Sequence, residues 1–295
     1  MNRGKNSFIV VFLALPLAIY TLFVLIPYFS SFIFAFTRWS GLSANITFNG
    51  INNFKKVLAD DKFWNALSHN GIALIVLPLV VISIGLFFAF LFTQGIRFAK
   101  FFRTTFFFPQ VLSVVIVGVL WGFVYHPTIG ILNSVLTGLG LSDFQSFPWL
   151  GDRGTVFGSV LGVVVWQSVG FYMVLFVAGM QSIPQDFFEA ARVDGANSWN
   201  IFWTMTVPLL WDTIRTAIVF LAIGAMDLFA IVTVMTNGTG GPSRAADVVP
   251  VYLYSKAFSE GQFGYATAMG LILLILIMGL AIISLRLTAR ESVEY

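Results

Sequence analysis

Long stretches of this sequence contain no Lys, Arg, Asp or Glu: residues 6–37, 71–96, 104–142, 154–185 and 261–285 are charge-free, and 216–226 and 228–243 are separated only by Asp227. A helix that crosses a bilayer needs about 20 mainly apolar residues. The pattern therefore predicts six spans, at about 8–34, 70–92, 104–124, 155–179, 207–235 and 263–285. The expected fold class is an all-α polytopic membrane protein with six transmembrane helices. Hydrophobic residues make up 58% of the chain, against roughly 45–50% in soluble domains, so a soluble core is the wrong starting point.

Arg3 and Lys5 precede the first run, as in a signal peptide. Its apolar stretch of about thirty residues exceeds the 7–15 of a signal-peptide core, and no Ala-x-Ala-like site closes it. A retained helix is expected, bent or ended by Pro16 and Pro27. Lys and Arg near span ends set orientation. One side collects Arg3, Lys5, Arg97, Lys100, Arg103, Arg192, Arg215, Arg286 and Arg290; the other collects Arg38, Lys55, Lys56, Lys62, Arg153, Arg244 and Lys256. Nine against seven favours the first side as cytoplasmic, since Lys55 and Lys56 lie in a long loop whose charges count for less. Both termini are then cytoplasmic.

The absence of cysteine excludes disulfides and thiolate metal sites. Bases spread over both faces give no nucleic-acid stripe. His69 and His126, the only histidines, fit ordinary polar contacts better than a metal pair, and Trp121 and Trp149 fit packing better than sugar platforms. After the first span, Phe54, Val57, Leu58, Phe63, Ala66 and Leu67 recur at spacings of three and four, which predicts short amphipathic helices on the outer face. Pro109 stands where it would kink the third span, and Pro127 with Gly130 fits a turn beyond it. The simplest partition is an N-terminal helix and outer amphipathic segment (1–69), a membrane core (70–285) and a cytoplasmic tail (286–295).

Between the fourth and fifth runs lies the charged stretch QDFFEAARVDGANSWNIFWTMTVPLL, residues 185–210. Ser182-Ile183-Pro184-Gln185 has capping-box spacing with proline early in the first turn, and Asp186 adds negative charge near the helix start. On the short helix that should follow, Glu189 and Arg192 are three apart and pair at a gain of about 0.2–0.5 kcal/mol. Ala190 and Ala191 keep one surface small. Asp194-Gly195 signals a turn, Ser198 to Thr204 a second short helix with Trp199, Phe202 and Trp203 at the membrane interface, and Pro208 the entry to the fifth span. From the residues alone this elbow is either a solvated loop or a docking element for a cytoplasmic partner. Glu189 and Asp194 have no accompanying His, Cys or second carboxylate set, so catalysis is not expected.

The segment EAARVDGANSWNIFWTMTVPLL resembles the cytoplasmic EAA loop of permease subunits in binding-protein-dependent ABC importers, with Glu189-Ala190-Ala191, Asp194-Gly195-Ala196 and Pro208 at matching spacings. Residues 53–67, 102–133 and 228–270 resemble the maltose-permease-like inner-membrane subunits of the carbohydrate-importer branch. The resemblance covers nearly the whole chain. It implies a type I ABC importer permease fold with a coupling loop at 182–206, in which Glu189, Ala190, Ala191, Asp194 and Gly195 meet a separate ATPase. It implies as partners a second homologous permease, a homodimeric ATPase, an extracytoplasmic solute-binding protein and membrane lipid, with no nucleic acid. This chain needs no cofactor of its own; ATP and magnesium belong to the ATPase. The implied location is a bacterial-type cytoplasmic (inner) membrane. Where the family often has a second proline four residues after Pro208, this chain has Asp212.

Asp227 lies well inside the fifth run, and a central Asp costs about 2.5–3.5 kcal/mol in hydrocarbon, so it should face a cavity or a protein partner. A pathway-lining role, helix–helix hydrogen bonding and a span boundary that falls at Asp227 all remain open. Thr233, Thr236 and Asn237 offer hydroxyl and amide groups for a sugar, or ordinary interhelical bonds. Because no Lys or Arg is central in any span, a polyol fits better than a strongly anionic solute. The glycine-rich 238–242 predicts a sharp outer turn or re-entrant loop. The chain has no P-loop, so hydrolysis must come from a partner. The alternative is an ion-coupled secondary transporter, which favours inverted repeats and paired broken helices.

Overall fold

The computed structural model describes residues 3–287, with side chains described from Phe12 onward except at 283–285 and 287. Most of the tail at 286–295, Arg290 included, lies outside the described residues. The first run forms α1 (Arg3–Tyr20), a π-helical turn (Thr21–Leu25) and α2 (Ile26–Ala35) without a break. Neither proline ends it. Pro27 stands in the first turn of α2, and Pro16 is held inside α1. Two short antiparallel strands, β1 (Thr37–Arg38) and β2 (Thr47–Phe48), follow, with Thr37 opposite Phe48 and Arg38 opposite Thr47.

Next come α3 (Asn52–Leu58) and α4 (Asp61–Thr93). The amphipathic stretch is thus one short helix plus the opening turns of the second span, not a set of surface helices; Phe63 and Ala66 are fully buried. α5 (Ala99–Val111) and α6 (Val114–Val124) meet at 101°, so the third run is sharply bent. Pro109 does not cause the bend. It is buried within α5, and the chain turns three residues later, where Leu112 and Ser113 are extended (ψ 142° and 136°).

Beyond them lie α7 (Ile131–Gly138), a 3-10 turn (Ser142–Phe144), α8 (Val156–Gln181), α9 (Gln185–Val193), α10 (Ser198–Ile201), a π turn (Phe202–Thr206), α11 (Val207–Leu209) and α12 (Trp211–Met226). The chain closes with α13 (Phe229–Met235), a 3-10 turn (Pro242–Arg244), α14 (Val249–Tyr254), a π turn (Ser255–Ser259) and α15 (Phe263–Leu287). The fifth run, expected to be one span, breaks at Asp227 between α12 and α13 (φ −115°, ψ 65°). Among the described residues four helices are long and apolar enough to cross a membrane, and the bent pairs α5–α6 and Ser198–Leu209 with α12 (68°) bring the number to six when each is one span.

The chain divides into two compact units, 1–64 with 252–275 and 65–251 with 276–295. In the first, buried Asn53 donates from Nδ2 to the carbonyls of Ala35 and Thr37, each at 2.8 Å, and so holds the end of the first helix. Gly264 donates its amide to Trp39 O, an approach that requires glycine because a Cβ there would lie 2.1 Å from Thr37 O. Tyr252 and Tyr265 both donate to Asp60 Oδ2, Tyr252 at 2.7 Å.

Burial pushes the Asp60 carboxyl up, but hydrogen bonds from Tyr265, Tyr252 and the Lys62 and Phe63 amides outweigh it and hold it below its ordinary value of 3.8. A lowered carboxyl contributes stability above that ordinary value, and the contribution is lost as pH falls through the lowered one. Asp60→Asn is therefore expected to lower the thermal midpoint at pH 7, with the gap to the unsubstituted chain closing as pH falls below about 4. Parallel acid titrations followed by thermal unfolding check this, and a gap that widens in acid would refute it.

In the second unit α8 is the central helix, with α5 along one side and α6, α12 and α13 also against it. Buried Asn70 in α4 donates to Ala225 O at 2.8 Å and accepts from the Val249 amide at 2.9 Å. This amide therefore ties the end of α12 to the start of α14. α8 lies so near α5 that a Cβ on Gly170 would fall 1.8 Å from Phe106 O. Small residues permit such close backbone approach between membrane helices.

Candidate functional site

The elbow is built by α9, the turn at Asp194–Gly195 and α10. The capping box is not formed: Ser182 Oγ donates instead to Gly179 O, in the last turn of α8, and Pro184 is the residue before α9. Asp186 does occupy the first turn. Nor do Glu189 and Arg192 form an ion pair among the described residues. At the other end Gly195 takes φ +81°, and the Ala196 amide reaches back to Ala191 O at 3.0 Å while Gly195 N reaches Arg192 O at 3.0 Å. This is the left-handed glycine cap that closes a helix, so Gly195 sets where the elbow turns. Asn197 then caps α10 by accepting from the Asn200 amide at 2.8 Å.

Asp186, Glu189, Ala190 and Val193 recur at three- and four-residue spacing and are all exposed, Val193 at 87%. One face of α9 thus presents a carboxylate, a small residue and an uncovered valine side by side. Ala191 is half-buried beside it, and Asp194 is exposed at the turn. Trp199 and Trp203 are about half exposed, as interfacial residues would be, but Phe202 is buried, with its ring 4.7 Å from Phe90. It anchors α10 to the end of α4 instead of facing lipid.

A second feature lies where the two broken runs meet α8. Asp227, exposed at the break between α12 and α13, lines a cavity of about 470 Å³ with Gln167, Ser168 and Tyr172 of α8 and with Val114 just past the α5–α6 break. Gln167 Nε2 donates to Leu112 O, a carbonyl released by that break, at 3.3 Å. The lining includes one carboxylate, an amide, two hydroxyls and apolar rings, and no Lys or Arg. Gln167, Ser168 and Tyr172 are additions to the sequence reading. Their signal was present in the adjacent pair Gln-Ser within a long charge-free run.

Asp227 is not grouped with the other three polar residues of its run. Thr236 and Asn237 line a different cavity of about 420 Å³ with Tyr125, His126 and Pro148. Thr236 is buried, donates to Val232 O at 2.7 Å and accepts from the Gly240 amide at 3.1 Å. It starts the glycine-rich turn, in which Asn237, Gly238, Gly240 and Gly241 all have positive φ. Thr233 Oγ1 is buried without a partner and lines neither cavity. Below the turn, buried Asp247 pairs with Arg244 at 2.6 Å, and His69 Nδ1 lies 2.7 Å from Asp247 O. The Trp149 indole donates to Asn133 Oδ1 at 2.6 Å, and Trp121 packs against Tyr125 and Trp166. Among the described residues no three His, Asp or Glu side chains form a metal cluster.

Residues 81–292 match the family described as the binding-protein-dependent transport system inner membrane component. The chain is 39% identical over 282 residues to the diacetylchitobiose uptake system permease protein NgcF of Streptomyces coelicolor, covering 92% of this chain and 80% of that one. It is 32% identical to the multiple sugar-binding transport system permease protein MsmF of Streptococcus mutans, covering 96% and 95%. In fold it is similar to a chain of a bacterial ABC transporter involved in alginate import, with a TM-score of 0.83 at 20% identity and 96% of each chain covered. Bent spans around a central helix, an exposed elbow and this match over most of the chain lead to one assignment: the protein belongs to the inner membrane components of binding-protein-dependent transport systems, as a permease subunit of an ABC importer with the type I fold, a transport component and not an enzyme.

Proposed function

We propose that this permease forms, with a second homologous permease, the membrane pathway for a carbohydrate or related polyol delivered by an extracytoplasmic solute-binding protein. The observation that carries this reading is the cavity at the two helix breaks. Its single carboxylate, amide and hydroxyls, alongside apolar and aromatic faces and without a base, suit a neutral polyhydroxyl solute. Relatives named for diacetylchitobiose and multiple sugars support the same class. Asp227 and Gln167 are the hydrogen-bonding pair of this pathway; Thr236 and Asn237 act farther along, at its outer mouth.

The elbow, with Glu189, Ala190, Ala191, Asp194 and Gly195, meets a homodimeric ATPase that binds ATP with magnesium and hydrolyses it. In this reading both termini and the elbow are cytoplasmic, residues 70–285 form the core, and lipid surrounds the remaining surface. The full assembly in liposomes, given a panel of labelled sugars and a loaded binding protein, tests the substrate class. Asp227→Ala is expected to raise the KM for the transported sugar about tenfold, a loss of about 1.4 kcal/mol, with Asp227→Asn intermediate because it keeps a hydrogen-bonding group. Uptake of no sugar on the panel, or a KM untouched by Asp227→Ala, would refute the pathway assignment.

A further inference from the structure

We propose that the cavity beneath the elbow binds the phosphate group of an anionic membrane lipid. The cavity, of about 510 Å³, is enclosed by the ends of α4 and α8, the start of α5, and α9 with α10. Its lining includes two guanidinium groups, Arg103 and Arg192, and no Asp or Glu. Arg103 Nη2 donates to Phe92 O at 2.6 Å, which fixes the side chain, while its Nε is buried without a hydrogen-bond partner. A buried charged donor left unmade is costly, and a phosphate oxygen satisfies a guanidinium with the strongest hydrogen bonds available to it. Arg192 projects from α9 and is exposed, with no carboxylate partner among the described residues.

Around these bases stand Gln94, Gln181 and Ser198, which offer further donors, and the rings of Phe90, Phe188 and Phe202, which form an apolar side. A free phosphate would gain nothing from these phenyl rings; a glycerophospholipid uses both parts of the cavity. Its position at span ends matches the depth of a headgroup, and basic pockets between membrane helices on the cytoplasmic side suit anionic lipid. Because α9 forms one wall, an occupied cavity would support the elbow from behind. The inference rests on the cytoplasmic orientation proposed above only for which leaflet supplies the lipid.

Native mass spectrometry of the full chain in detergent, titrated with dioleoyl phosphatidylglycerol or dioleoyl phosphatidylcholine, tests it directly. The expected result is at least tenfold tighter retention of the anionic phosphatidylglycerol, reduced at least fivefold by Arg192→Gln and more by Arg103→Gln, with Arg153→Gln unchanged. Arg192 is exposed, so its variant keeps the test valid if Arg103→Gln fails to fold. Equal retention of the two lipids, or binding indifferent to Arg192→Gln, overturns the proposal. Displacement by inorganic phosphate as effectively as by phosphatidylglycerol overturns the lipid assignment in favour of a soluble anion. The chain has no cysteine, so Asn200→Cys, at an exposed elbow position outside the cavity lining, labelled from one side of sealed vesicles reads orientation separately. Labelling from outside would refute the orientation without touching the binding result.

Discussion

Glu189→Ala is expected to cut ATP-driven uptake by at least tenfold in the full assembly while the permease stays folded. The side chain is exposed on the outward face of α9 and has no hydrogen bond or ion pair within the described chain, so its removal should leave the thermal midpoint nearly unchanged, within about 0.5 kcal/mol of stability. Its expected role is in contact with the ATPase. Beside it Ala190 is small and Val193 is 87% exposed, an arrangement that leaves room for a partner surface and gives it apolar area to cover. A tenfold loss corresponds to about 1.4 kcal/mol, modest for a carboxylate hydrogen-bonded at an interface. Two readouts separate coupling from transport: stimulation of ATP hydrolysis by the loaded binding protein should fall with uptake, whereas the KM for sugar should not move. Full uptake by the variant would remove Glu189 from the coupling contact.

The second large effect concerns the frame. Gly170→Ala would put a Cβ 1.8 Å from the Phe106 carbonyl oxygen, 2.4 Å from its carbon and 2.9 Å from Phe107 Cα. All three are main-chain atoms, so no rotamer relieves the clash and α5 must move away from α8. Overpacking of this kind costs typically 1–3 kcal/mol and occasionally more; with two helix backbones forced apart, about 3 kcal/mol is expected. Gly158→Ala, in the first turn of the same helix with open space around the added carbon, should be close to neutral, within about 0.5 kcal/mol. Thermal unfolding and yield of the detergent-extracted variants measure the contrast. Equal midpoints would mean that α5 and α8 are not so closely packed.

The span count and the position of the elbow were legible because they depend on composition over many residues: charge-free length marks a span, and Asp194-Gly195 marks a turn. Details that depend on a partner across space were not. Ser182 had the spacing of a cap but was engaged by Gly179 O one turn back, and Glu189 stood three residues from Arg192 without bonding to it. Pro109 is the visible kink signal in the third run, yet the bend needs only two extended residues, Leu112 and Ser113, neither of which has a distinctive local signature. The cost of Asp227 in hydrocarbon is legible in the sequence, but its position at a helix break is not, because the run is apolar on both sides. Gln167 became meaningful only once the Leu112 carbonyl stood within its reach.

Those two interruptions, at Leu112–Ser113 and Asp227–Leu228, free main-chain carbonyl and amide groups that an unbroken helix would consume. Main-chain groups are the same whatever side chains are attached to them. In the pathway proposed here these freed groups supply fixed polar positions around the cavity, and substitutions at Gln167, Ser168, Tyr172 or Asp227 are expected to retune it for a new solute without rebuilding the helices that hold it. On that proposal, a change of cargo is expected to need only a few point changes on an unchanged skeleton.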